Sequence, residues 1–123
     1  MPLFLRKLKD SFRFAVQGIF TVFKTERNMR IHTVATVFVI VSAALLDFKA
    51  WEWVAVISAI NFVVVTEIIN TAIEATVDLV VSDFHPLAKV AKDVAAGAVL
   101  FSAFCAITIG FIVYWPYVKR LLF

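Results

Sequence analysis

Glu67, Asn70, Glu74 and Asp78 recur at intervals of three and four residues inside a long, otherwise apolar stretch. At about 100° per residue they fall on one stripe of a helix, within roughly 80° of one another. The preceding segment, Trp53 to Thr66, carries no charge. An ionisable side chain at the centre of a membrane helix costs about 2.5–3.5 kcal/mol on insertion scales. A row of carboxylates and an amide is therefore a poor stabiliser and a good cation ligand. The stripe reads as a site that gathers cations and, through them, phosphate.

Other polar groups fit the same chemistry. Glu26 and Glu74 stand toward the same end of two successive apolar helices. Carboxylates at one depth can share a divalent ion, and Mg²⁺ is commonly held by one or two carboxylates plus phosphates and waters. A surface pair of Glu26 with Arg27 or Arg30 is the alternative. Lys92 can counter phosphate charge and steady a transferring phosphoryl group. Lys89 and Asp93, four residues apart, suit an ordinary helix pair. Glu67 is deepest in the stripe, placed either to accept a proton from a hydroxyl at the interface or to pair with another helix. Asn70 can hydrogen-bond Glu67 or a substrate without adding charge. His32 reads as an interfacial helix residue; His85, beside Pro86, borders a site or ends a loop. The chain has no glycine-rich phosphate loop, no H-E-x-x-H and no cysteine cluster. Any nucleotide chemistry must use side chains and metal ions.

These groups need elements to hold them. The 123 residues are 63% apolar, with a mean hydropathy of +0.94. A soluble domain is nearer half apolar, so the composition implies an all-α integral membrane protein. Glycine and proline number three each, too few to break the apolar runs into strands and turns. Residues 1–25 read as an amphipathic surface helix, with Leu5, Leu8, Phe12, Ala15 and Ile19 on one side and Arg6, Lys9 and Arg13 around the other. Transmembrane helices are expected over 28–48, 52–81 and 86–118. Asp47 to Glu52 forms a tight turn, with Trp51 and Trp53 in the headgroup belt. The small residues Ala95 to Ala98 permit close helix approach. The whole chain, 1–123, reads as one membrane domain without repeats or linkers.

The net charge of +3 is uneven. Arg6, Lys7, Lys9, Arg13, Lys24, Arg27 and Arg30 precede the first apolar run, and Lys89 and Lys92 lie between the second and third. The positive-inside rule places the N-terminus and the site in the cytoplasm. Anionic headgroups and ATP suit this charge better than nucleic acid. Met1 to Asp10 lacks the apolar stretch and cleavage site of a signal peptide. Cys105 has no second cysteine to pair with and reads as a small apolar residue.

The runs Glu67–Glu74 (EIINTAIE), His85–Val99 (HPLAKVAKDVAAGAV) and Glu26–His32 (ERNMRIH), with Asp78 between them, closely resemble the prokaryotic diacylglycerol kinase family. The resemblance covers nearly the whole chain. The Asn70–Glu74 form and the run from Ala91 to Val99 look like the Gram-positive branch, whose members act as undecaprenol kinases. The resemblance implies a homotrimer of subunits with one surface helix and three transmembrane helices, and active sites shared between subunits. It implies Glu67 as general base, and Glu26 and Glu74 as ligands of a Mg²⁺ that bridges ATP phosphates. Asp78, Lys92 and Asp93 would contact the nucleotide, and Asp83, Phe84 and His85 would lie toward adenine. Asn70 and Ala96 would flank the substrate hydroxyl. Phe14 and Lys7 occupy places where some members carry a tyrosine and an arginine toward the nucleotide.

The function this implies is phosphorylation of a membrane lipid alcohol by ATP, with undecaprenol as first choice and diacylglycerol as alternative. A small proton-coupled transporter would account for Glu67 but not for Glu26 and Lys92 at one level. A non-catalytic scaffold accounts for none of the acidic stripe.

Overall fold

The structure, a computed structural model, describes residues 3–123; Met1 and Pro2 of the expected surface helix lie outside them. It comprises α1 (Leu3–Thr25), α2 (Arg27–Leu45), α3 (Ala50–Val80) and α4 (Pro86–Leu122), with no strand among the described residues. The helices α2, α3 and α4 are each long and apolar enough to cross a membrane. Helices suit such sequence because each closes its own backbone hydrogen bonds without water. Apolar side chains cover the outside as well: Val34 and Phe38 of α2 and Phe101, Phe104, Ile107 and Phe111 of α4 are all exposed. On α1 only Val22 is buried, while Leu5, Leu8, Phe12 and Phe20 are exposed.

The antiparallel pair α3 and α4 forms the main packing unit. Val56, Ala59, Val63, Glu67 and Asn70 are buried on α3, facing Ala95, Val99, Ser102 and Val113 of α4. The α3 set recurs at three- and four-residue spacing, and the α4 set at intervals of four, three and eleven, which also return to one helix face. Ala59 and Ala95 carry little bulk, which lets the backbones come close.

The link from α2 to α3 is short and well bonded. Asp47 adopts a left-handed conformation, with φ 52°. The Phe48 N–H donates to the Ala43 carbonyl at 3.1 Å and the Asp47 N–H to Ala44 at 3.4 Å. This is a Schellman end, usually given to glycine; aspartate tolerates the left-handed region better than most side chains. Phe48 then folds back onto Ala43 in a buried cluster with Val56 and Val113. Its ring meets Tyr114 at 4.9 Å and Tyr117 at 5.1 Å between centroids.

Two tyrosines of α4 tie this end together. The Tyr114 hydroxyl lies 2.6 Å from Ser42 Oγ and 3.1 Å from the Val39 carbonyl, joining α4 to α2. Glu52 is buried in the first turn of α3, where it accepts the Lys49 N–H at 2.6 Å and the Tyr117 hydroxyl at 2.5 Å. A carboxylate at this position completes a capping box and suits the positive end of the helix dipole. At the opposite end, His85 caps α4 by accepting the Leu87 N–H on Nδ1 at 3.2 Å, and Pro86 takes the first helical position. Proline fits there because that N–H has no intrahelical partner.

Tyr117→Phe removes one donor from a buried carboxylate, so it is expected to cost about 1–3 kcal/mol of stability. Thermal unfolding in detergent measures this; an unchanged midpoint would mean that Glu52 recruits another donor.

Candidate active site

The acidic stripe lies on the buried side of α3 and ends at its C-terminal, more open, part. Glu67 is 1% exposed and Asn70 is buried; Glu74 is half-buried and Asp78 exposed. Helical spacing aligns them, and the packing of α4 grades their contact with solvent. The Asn70 amide donates to Glu74 Oε1 at 3.2 Å. Two buried acceptors in this group lack any hydrogen-bond partner: Glu67 Oε2 and Asn70 Oδ1. An unpaired buried oxygen forfeits its hydration without compensation.

Both face a cavity of about 280 Å³ between α3, α4 and the start of α2. Glu74 and Ala96 also line it, as do Asn28 and His32 of α2. Glu26 is not among the lining residues, yet it lies near enough for its charge to act on Glu67, as does Glu74. It stands between α1 and α2, at the N-cap position of α2 but with no side-chain capping bond, and accepts the Thr25 hydroxyl at 3.1 Å. Among the described residues it makes no ion pair with Arg27 or Arg30, the surface arrangement that its neighbours in sequence allow.

A second cavity, of about 430 Å³, lies at the α3–α4 loop. Asp78, Asp83, Phe84, His85, Lys92 and Asp93 all line it. Lys92 donates to both oxygens of Asp78, at 2.9 and 3.1 Å, and Lys89 pairs with Asp93. Glu74 is close enough to act on the Lys92 charge, which connects this cavity to the first. Phe14 and Lys7 line neither cavity. Phe14 is exposed on α1 beneath the Arg13 guanidinium, 5.0 Å from its ring centroid.

Sequence spacing along α3 found the stripe, but the pattern gave Asn28 no role in the site and marked His32 as an interfacial helix residue. They are four residues apart on α2 and so share a face, a signal that was available. His32 has a further position of note: it lines both the Glu67 cavity and an apolar groove of about 600 Å³ between α2 and α4. Ala103 is common to both as well, so the two spaces adjoin. Val39, Val63, Ile107 and Phe111 give the groove its hydrocarbon walls, and Tyr114 lies at its far end.

The donor set suits a small hard cation. Among the described residues no three histidine, cysteine or carboxylate side chains converge into a metal cage. Glu26 and Glu74 could instead offer two carboxylates, the number that Mg²⁺ accepts when phosphates and waters complete its shell. One buried and one half-buried carboxylate, a lysine at the adjoining cavity and a greasy trough together suit a reaction between a polyphosphate and an apolar alcohol.

Comparison with known proteins agrees with that chemistry. The family model for prokaryotic diacylglycerol kinase matches residues 13–114. The chain is 48% identical over 102 residues to a diacylglycerol kinase of Synechocystis sp., a match that covers 81% of the chain and 58% of that relative. It therefore spans little more than half the length of that protein. It is 39% identical over 112 residues to the undecaprenol kinase of Bacillus subtilis, covering 91% of each. With a diacylglycerol kinase of Escherichia coli the identity is 34% over 104 residues, covering 85% of each.

The Lys92–Asp78 pair is open to solvent, with side chains 37% and 65% exposed. Such pairs contribute about 0–1 kcal/mol. Lys92→Gln is therefore expected to leave the unfolding midpoint nearly unchanged while weakening polyphosphate binding about tenfold. Calorimetric titration with a nucleoside triphosphate checks this, and unchanged affinity would remove Lys92 from the site.

Proposed function

The chain belongs to the prokaryotic diacylglycerol kinase family, and on that premise we propose that it transfers the γ-phosphoryl group of ATP to a membrane lipid alcohol. Undecaprenol is the acceptor we assign. The observation that carries the reading is Glu67, a buried carboxylate with an unpaired oxygen, in a cavity shared with Asn70 and Glu74 that adjoins an apolar groove.

Each part of the site has a task. The lipid chain lies along the groove, and its hydroxyl meets Glu67. Glu67 takes the hydroxyl proton while that oxygen bonds to the γ-phosphorus. The bond from the γ-phosphorus to the ADP oxygen breaks in line with the attack. Asn70 holds the hydroxyl or orients Glu67, with Ala96 leaving room beside them. Lys92 offsets charge on the phosphates, and Asp78 releases it to do so. Asp83, Phe84, His85 and Asp93 border the rest of the nucleotide. Glu26 and Glu74 would hold Mg²⁺, which when bound neutralises charge on the β- and γ-phosphates. Most of the rate comes from positioning and charge neutralisation, so no glycine-rich loop is required.

The assembly we assign is a homotrimer in a bacterial cell membrane, with the α3–α4 loop and the N-terminus in the cytoplasm. The basic residues before α2 and near the start of α4 support this orientation. α1 lies along the membrane surface, with its exposed apolar side chains in the headgroup region. Phe14 and Lys7, which border neither cavity within one chain, would contact nucleotide only through a neighbouring subunit. A proton-coupled transporter would show no lipid-dependent ADP release.

Undecaprenol is favoured by the Bacillus undecaprenol kinase, which aligns over 91% of both chains. Diacylglycerol is a second reading, favoured by the higher identity, 48%, to the Synechocystis diacylglycerol kinase.

Glu67→Gln keeps the shape and removes the base. It is expected to lower kcat by a factor of about 10²–10⁴ while the Kd for Mg·ATP stays within about threefold; an equal loss of binding would make Glu67 a ligand rather than a base. Rates on undecaprenol and diacylglycerol in one mixed micelle decide the acceptor. Undecaprenol is expected to be phosphorylated faster, and equal or greater activity on diacylglycerol would overturn that assignment.

A further inference from the structure

Directly beside Glu67 in sequence, Thr66 reaches across to α4. Its Oγ1 lies 2.8 Å from Ser102 Oγ. Ser102 is completely buried, at 0% exposed, and its hydroxyl also lies 2.7 Å from the Val99 carbonyl. Thr66 Oγ1 in turn lies 2.9 Å from the Val63 carbonyl. The hydrogens balance as a relay. Either Thr66 donates to Ser102 and Ser102 to Val99, or Ser102 donates to Thr66 and Thr66 to Val63, and in both directions no hydroxyl hydrogen is left over. Val99 is itself a wall of the Glu67 cavity.

The contact matters because of where it falls. Among the described residues, the side-chain hydrogen bonds between α3 and α4 are Glu52–Tyr117, Thr66–Ser102 and Lys92–Asp78. The first is about 21 Å along the helix from Thr66 and the last about 18 Å, at 1.5 Å per residue. The last is also solvent-exposed and stands within the nucleotide cavity. Between the two ends the buried face of α3 is otherwise hydrocarbon apart from Glu67 and Asn70, which make no side-chain hydrogen bond to α4, and hydrocarbon gives contact without direction. Apolar faces resist sliding and rotation weakly, whereas a hydrogen bond has a fixed length and angle. Interhelical bonds of this kind contribute little to the stability of membrane helices. Misplacing a reacting group by 1 Å, however, can cost about 10² in rate.

We infer that Thr66 and Ser102 are positioning residues, a hydroxyl clasp that sets the rotation and register of α3 on α4 and so aims the Glu67 carboxylate. This inference deepens the kinase reading and rests on it for its kinetic readout. The clasp does not touch substrate; it acts through the helix that carries the base.

The test compares Thr66→Val, which keeps the shape and loses the hydroxyl, with Thr66→Ser, which does the reverse. Thr66→Val and Ser102→Ala are each expected to lower kcat about tenfold, with KM for Mg·ATP within twofold of the unaltered chain. Thr66→Ser is expected to retain kcat, and the Thr66→Val, Ser102→Ala double variant to be no slower than either single one. A second readout needs no turnover: labelling of Glu67 by dicyclohexylcarbodiimide, followed by mass spectrometry. Its rate is expected to change at least threefold in Thr66→Val and Ser102→Ala but not in Thr66→Ser. Unfolding midpoints in detergent confirm that the variants are folded, and Ser102→Ala serves where Thr66→Val is not. Three results would overturn the clasp: kcat and labelling unchanged in both hydroxyl deletions, Thr66→Ser as impaired as Thr66→Val, or losses that multiply in the double variant. Absence of lipid-dependent ADP release from the unaltered chain would sink the kinase reading instead, and the labelling comparison would still decide the clasp.

Discussion

The cost of keeping Glu67 out of water governs this molecule. A carboxylate removed from solvent must be met by hydrogen-bond donors or cations, or it weighs against the folded state. The chain leaves part of that cost unmet, since one Glu67 oxygen and the neighbouring Asn70 oxygen have no partner. Glu26 and Glu74 add further negative charge nearby. No arrangement selected for stability alone would set Glu67, Asn70 and Glu74 around one small space. The missing compensation is what a cation, a donating hydroxyl and a phosphate would supply together.

The rest of the fold serves to hold that arrangement open. At the α2–α3 end, the Schellman turn, the Phe48 cluster and the Tyr114 and Tyr117 bonds tie three helices firmly to one another. Toward the α3–α4 loop the side-chain contacts are ion pairs open to solvent. The protein is therefore braced at one end and left accessible at the other. That gradient suits a site in which a soluble and an insoluble reactant have to meet.

The helices were legible in the sequence because the apolar runs are long and proline is rare. Glu67, Asn70 and Glu74 were legible as a group because helix periodicity aligns them before any packing is known. Glu26, which comes from a different element, rested on shared depth and on the family resemblance; the fold brings its charge within reach of Glu67, although Glu26 does not line the cavity. What the pattern did not reveal was rotation. In a water-soluble helix the polar face marks the outside, but here both the packed and the exposed faces are apolar. Hydropathy therefore could not say that Asn28 and His32 turn toward Glu67. The same holds for the Thr66–Ser102 bond, made by residues 36 positions apart with no feature in common but a hydroxyl. The buried position of Glu52 was also hidden, since an acidic residue near a turn ordinarily reads as solvent-facing. Phe14 marks a different limit: its place on α1 leaves it outside both cavities of a single chain.

The groove between α2 and α4 is walled by side chains no more polar than a lipid tail, and it opens along the flank of the helices. On the proposed function, its occupant arrives by lateral diffusion in two dimensions and never crosses bulk water. The quantity that saturates such an enzyme is a mole fraction within one leaflet. Diluting the bilayer with inert lipid would starve it, while diluting the vesicles in buffer would not.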